Sequence, residues 1–134
     1  MKKTAVMCLA LIGFMPMAMS HEGHVHEAAL EAAPHGGILR DAEPFKAEAV
    51  LNGDVVRVYV YDKELKQLKL DKKQAKGDVQ FPRQKAKPVT FQLKDGFYET
   101  TIKGISKVHR YDLHLKLEIN GVKALADFGI DNIQ

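Results

Sequence analysis

Sulfur is confined to the first 20 residues, where the chain keeps its one cysteine, Cys8, and its five methionines, Met1, Met7, Met15, Met17 and Met19. From His21 onward there is no thiol and no thioether. No disulfide can staple that region, so an apolar core has to hold it together, and its length is sufficient for one. The same absence removes a cysteine nucleophile and the soft ligands that select Cu(I). Serine is scarce as well. Ser106 stands alone after Ser20, and Gly104-Ile105-Ser106-Lys107 lacks the Gly-x-Ser-x-Gly elbow of a hydrolase. An excess of one charge is also missing. Setting aside Lys2 and Lys3, the 20 basic residues fall to 18, against 17 acidic ones. Such a balance gives no global pull toward nucleic acid or an anionic membrane. Long apolar runs are missing too: Ala5 to Met15 falls short of the about 20 residues a spanning helix needs.

That run instead has the marks of a secretion signal over residues 1–20. Lys2 and Lys3 give a positive start, and Ala18-Met19-Ser20 puts small residues where a signal peptidase cuts. The expectation is a periplasmic protein beginning at His21, with no stable membrane insertion once the leader is removed. Residues 21–37 then form a histidine-rich arm closed by Pro34-His35-Gly36-Gly37, and residues 38–134 form the folded domain. Within the arm, Ala28 to Ala33 has helix-forming composition but is too short to be stable alone.

The domain reads as β. Phe45, Ala47, Ala49 and Leu51 alternate with Lys46, Glu48 and Val50. Val56, Val58 and Val60 alternate with Arg57, Tyr59 and Tyr61, and Val89, Phe91 and Leu93 make a further alternating run. Phe97 to Ile102 answers that run. The clearest strand carries Tyr111, Leu113, Leu115, Leu117 and Ile119 on one face, and Val122, Ala124, Ala126 and Phe128 follow it. Asn52-Gly53, Asp95-Gly96 and Asn120-Gly121 separate these runs as hairpin turns. With a short strand at Val79 to Phe81, the pattern predicts an all-β, antiparallel, Ig-like sandwich of about seven strands, or an open barrel of similar signature. Asp62 to Lys87 fits neither period. From Lys63 to Lys94 ten basic residues face three acids, Glu64, Asp71 and Asp78. This segment reads either as a patch for an acidic partner, lipid headgroup or phosphate, or as a solvated loop and edge strand whose lysines discourage aggregation.

Four of the six histidines lie between His21 and His35. His24 and His26 share a face in extended chain and could close on one metal ion. His21, as an amino terminus, would add an amine and an imidazole, a clamp suited to Cu(II). Glu22 and Glu27 could complete or orient such a shell. The alternative is a polar arm whose histidines do nothing. In Pro34-His35-Gly36-Gly37 the glycines let the backbone approach another group while the proline restricts the path into His35. That suits an imidazole facing an ion, or simply a sharp turn feeding the first strand. His109 and His114 are the remaining pair. Their odd spacing puts them on opposite faces of one strand unless the chain bends between them.

Pro34-His35-Gly36-Gly37, followed by Phe45-Lys46-Ala47-Glu48 and Val58-Tyr59-Val60-Tyr61-Asp62, resembles a family of small exported β-domains. Its members occur alone or attached to the periplasmic adaptor subunits of heavy-metal RND efflux pumps. The resemblance covers most of Pro34 to Phe128. It implies a periplasmic β-sandwich tied to metal efflux or resistance, with His35 and Glu48 as site positions. The chain departs from the family in lacking methionine ligands and in its lysine-rich 62–87 segment.

The sequence therefore predicts a non-enzymatic protein that binds Cu(II) or Zn(II), with Ni(II) or Co(II) as further options. It would buffer the ion or pass it to an efflux adaptor or another cell-envelope protein, without nucleic acid. The candidate ligands are His21, His24, His26, His35, Glu48, His109 and His114. Two other readings compete: a metal-free interaction module docking on an envelope complex, and a copper oxidase built on a His21 clamp.

Overall fold

A computed structural model describes residues 31–132. The expected leader and the histidines of the arm, His21, His24 and His26, lie outside the described residues. Eight antiparallel strands follow one another: β1 (Ile38–Ala42), β2 (Phe45–Asn52), β3 (Val55–Tyr61), β4 (Gln74–Gln80), β5 (Lys87–Lys94), β6 (Phe97–Thr101), β7 (Arg110–Ile119) and β8 (Val122–Asp131). The helical content among the described residues is a single 3-10 turn at Ile105–Lys107. Glu31 to Ala33, the end of the expected helix-forming stretch, is irregular. No helix among the described residues is long and apolar enough to cross a membrane.

The strands form one sheet in the order β1-β2-β3-β6-β5-β4-β7-β8. It curls until β1 and β8 lie against each other, and no ladder joins them among the described residues. The fold is thus all-β and barrel-like. The alternation seen in the sequence sets the inward face. Tyr111, Leu113, Leu115, Leu117 and Ile119 of β7 are buried, as are Ala126, Phe128 and Ile130 of β8 opposite them. Val56, Val58 and Val60 of β3, Ala47 and Ala49 of β2 and Phe91 of β5 complete the core.

The expected hairpins are all present, Asp95-Gly96 and Asn120-Gly121 as the loops themselves and the first shifted by one residue to Gly53-Asp54, because Asn52 still pairs with Val55. At Asn120-Gly121 both residues take positive φ, 50° and 78°, which lets a two-residue turn follow the twist of the strands it joins. The Asp54 carboxylate accepts hydrogen bonds from the Gly104 and Ser106 N–H groups and the Ser106 hydroxyl, tying the β2–β3 turn to the 3-10 turn.

The eighth strand, β1, was not among the expected seven, and the short strand expected at Val79 to Phe81 starts earlier, at Gln74. In β4 the inward positions are Ala75, Gly77 and Val79. A Cβ at Gly77 would lie 2.1 Å from the His114 carbonyl oxygen, so only glycine lets β4 approach β7 there.

Candidate functional site

The outer face of β2 and β3 should be wet, because the core lies on the other side. Near the start of β1 it is not. Glu48 is 0% exposed, the one buried charged residue among the described residues. Its cross-strand partner Tyr59 and the nearby Tyr61 are buried on the same face. What covers them is Pro34-His35-Gly36-Gly37, which folds back over β2 before the chain enters β1.

The lead-in is held by its own backbone. The His35 N–H donates to Glu48 Oε1 at 3.0 Å and Oε2 at 3.2 Å, and the Gly37 N–H donates to Oε1 at 2.8 Å. Two N–H groups two residues apart thus converge on one carboxylate, a small anion nest. Gly36 at φ +72° makes the reversal. At Gly37 a Cβ would lie 2.3 Å from the Ala49 carbonyl oxygen, so the segment sits this close to β2 only because that residue is glycine. Gly37→Ala is expected to push the lead-in off β2 and to cost about 2 kcal/mol, read as a lower thermal midpoint. A midpoint equal to that of the unaltered protein would contradict the close packing.

Side chains finish the arrangement. Tyr61 donates its hydroxyl hydrogen to Glu48 Oε2 at 2.6 Å. His35 Nδ1 lies 2.7 Å from the Tyr61 oxygen and 3.2 Å from Glu48 Oε2. Burial alone pushes the Glu48 carboxyl up, but the hydrogen bonds from Tyr61, Gly37 and His35 outweigh it and hold the group below its ordinary 4.5. Burial, and then the hydrogen bond to Glu48, push the Tyr61 phenol well above its usual range, so it stays protonated. These states set the direction of the hydrogen bond at Nδ1. The tyrosine has one hydrogen and gives it to an ionised Glu48, so the hydrogen between His35 and the pair must sit on Nδ1. In the neutral imidazole that leaves the lone pair on Nε2.

The ring is held flat against Tyr59, with centroids 3.8 Å apart and planes 15° from parallel. Tyr59 in turn meets Phe97, whose ring lies beneath Arg57. The His35 side chain remains 39% exposed, and Nε2 makes no hydrogen bond among the described residues.

Of the described residues that the sequence singled out, the structure brings together His35 and Glu48. Glu48 does not present an oxygen outward, since its acceptor positions are filled by two N–H groups, a phenol and an imidazole. It positions His35 instead. His109 lies just before β7, and its carbonyl accepts from the Asn132 N–H at 2.7 Å. His114 sits on the outer face of β7, where Nδ1 meets Asp127 at 2.6 Å. That hydrogen bond is the main cause of a raised His114 pKa. Among the described residues no group of three or more His, Cys, Asp or Glu side chains is arranged to hold a metal ion. Tyr59 and Tyr61 were not among the expected site residues. The available signal was the pairing of two large tyrosines with a glutamate on the nominally polar faces of adjacent strands.

No family model, curated protein or solved structure matches the chain.

Proposed function

We propose that this is a periplasmic protein that binds a divalent transition metal and buffers it or hands it to an efflux or resistance system, and that it is not an enzyme. The observation that supports this reading is the placement of His35 Nδ1 against Tyr61 and Glu48, at 2.7 and 3.2 Å. Metal-binding imidazoles commonly donate their other N–H to a carboxylate, which orients the ring and raises its basicity. Here Glu48 and Tyr61 accept from Nδ1, and the neutral ring, stacked against Tyr59, offers the lone pair of Nε2. One nitrogen on a rigid body is a single ligand. The remaining donors would come from His21, His24 and His26, whose imidazoles suit Cu(II) and Zn(II) and also accept Ni(II) or Co(II). Histidine ligation is labile enough to suit hand-over to a partner in the cell envelope. His109 and His114 take no part in this site.

Calorimetric titration of the chain from His21 onward with each of the four ions tests the proposal. His24→Ala with His26→Ala is expected to weaken binding at least tenfold, about 1.4 kcal/mol. His35→Ala should cost a similar amount, and His114→Ala less. Unchanged Cu(II) and Zn(II) titrations in the double variant would make the arm a bystander and leave an interaction module as the better reading.

A further inference from the structure

A second feature lies away from His35, where β4 and β7 part. Their ladder runs from Gln80 opposite Asp112 to Gly77 opposite Leu115 and stops there. Beyond it, Gln74 to Lys76 of β4 still pair with β5, and Lys116 to Ile119 of β7 still pair with β8. The two strands have no ladder with each other over these residues. The parting opens a cleft of about 770 Å³, within the range of small-molecule sites. Leu125 and the half-buried Ala124 give it exposed apolar surface, and Ala75 and Leu117, 6% and 2% exposed, close its floor. Two of these are alanines, and their small side chains leave the space that bulkier core residues fill elsewhere in the sheet. Leu125 is 50% exposed, one of two large apolar side chains so exposed among the described residues.

Charge surrounds this apolar cleft. Lys72, Lys76, Lys116 and Lys123 line it against the one carboxylate of Glu118. Glu118 is 3.9 Å from Lys72. Among the described residues, Lys76, Lys116 and Lys123 have no carboxylate within ion-pairing distance. Four ammonium groups around apolar walls complement a molecule with an anionic head and a hydrocarbon body. Next to Lys72 the Asn120 N–H donates to Asp71 Oδ2 at 3.3 Å, tying the chain before β4 to the end of β7. Burial of a hydrocarbon chain is non-directional and needs no backbone partners.

We propose that the β4–β7 cleft binds the monomeric carboxylate of a long-chain fatty acid. The lysines hold the head, and the hydrocarbon chain covers Leu125 and the half-buried Ala124. This assigns a ligand to two lysines of the basic segment, Lys72 and Lys76, and it stands independently of metal binding at His35.

Fluorescence titration of the full chain with cis-parinaric acid, below its micellar concentration, tests the assignment. Saturable binding is expected, with displacement by oleate. Lys76→Glu combined with Lys116→Glu should weaken binding at least tenfold, and Leu125→Asp at least fivefold. All three side chains are exposed, so the thermal midpoint should stay within a few degrees of the unaltered protein. The methyl ester of the probe, which lacks the charge, should bind at least tenfold more weakly. Several results would overturn the proposal: no saturable binding, equal affinity for acid and ester, or equal affinity in the double lysine variant. Displacement of the probe by a glutamate-rich peptide, or binding to phosphatidylglycerol vesicles without binding to monomeric probe, would assign the lysines to those partners instead.

Discussion

Replacing Glu48 with alanine is expected to lower the thermal midpoint by about 12 °C or more, although no core leucine or phenylalanine is touched. The substitution removes the acceptor for the His35 and Gly37 N–H groups and the Tyr61 hydroxyl. Leaving one buried donor without a partner costs about 1–3 kcal/mol, and partial access of water to the freed lead-in brings the total to about 3 kcal/mol. Acid should expose the same dependence. The folded-state pKa of Glu48 lies below the unfolded value near 4.5, so its contribution is fully present above that value. It is lost as the pH falls through the depressed folded-state value. Thermal melts across an acid series should therefore show the unaltered protein and Glu48→Gln converging as the pH drops. An alanine variant melting within 2 °C of the unaltered protein would show that the carboxylate does not hold the lead-in.

Leu115→Asp is expected to abolish folding. Leu115 is 0% exposed at the middle of β7, where it packs among Leu113, Leu117 and Ala126. An aspartate there loses the apolar burial, leaves a cavity and buries an unpaired charge or forces its protonation. Together these exceed the 5–15 kcal/mol margin, or a large share of it, on which a domain of this size typically stands. Circular dichroism should lose the β signal. Asp112→Asn on the outward face of the same strand should keep it, because substitutions at exposed positions usually stay within about 0.5 kcal/mol. A soluble Leu115→Asp variant with native spectra would mean that β7 turns its other face inward.

The contrast between those two positions shows what the sequence could reveal. A strand with one buried face writes its orientation as alternation, so β2, β3, β5, β7 and β8 and the three glycine turns were legible. Ile38-Leu39-Arg40-Asp41-Ala42 of β1 has no such alternation, because β1 is an edge strand whose middle is exposed. In β4, Gly77 occupies an inward position with no side chain to mark it. Strand order was not legible either, since β3 joins β6 and β4 joins β7 through pairings remote in sequence.

At the site, His35 and Glu48 stood out separately. Alternation placed Glu48 on the outer face, correctly, and outer faces are ordinarily wet. Only the return of Pro34-His35-Gly36-Gly37 across β2 makes that place dry and turns Tyr59 and Tyr61 into a packed support. Alternation is a local signal and does not report a cover supplied from more than ten residues away.

The strand order has a further consequence, for the way the molecule comes apart and together. The β4–β5–β6 meander is attached to the rest of the sheet by two short seams, Val55–Val58 against Tyr98–Thr101 and Gly77–Gln80 against Leu115–Asp112. The β2–β3 and β7–β8 hairpins are zipped along nearly their whole lengths. Each seam joins residues roughly 40 positions apart, so it forms only after a costly loop closure, whereas the hairpins form locally. The meander therefore behaves as a panel, the last part to dock in folding and the first to lift in sub-global opening. Lifting it uncovers Val79, Phe91 and Tyr98, widens the β4–β7 parting and takes Phe97 away from Tyr59, while the hydrogen bonds of the lead-in to Glu48 are made without the meander. Opening of the panel in this way loosens the ring on which His35 stacks but leaves the carboxylate that orients it in place.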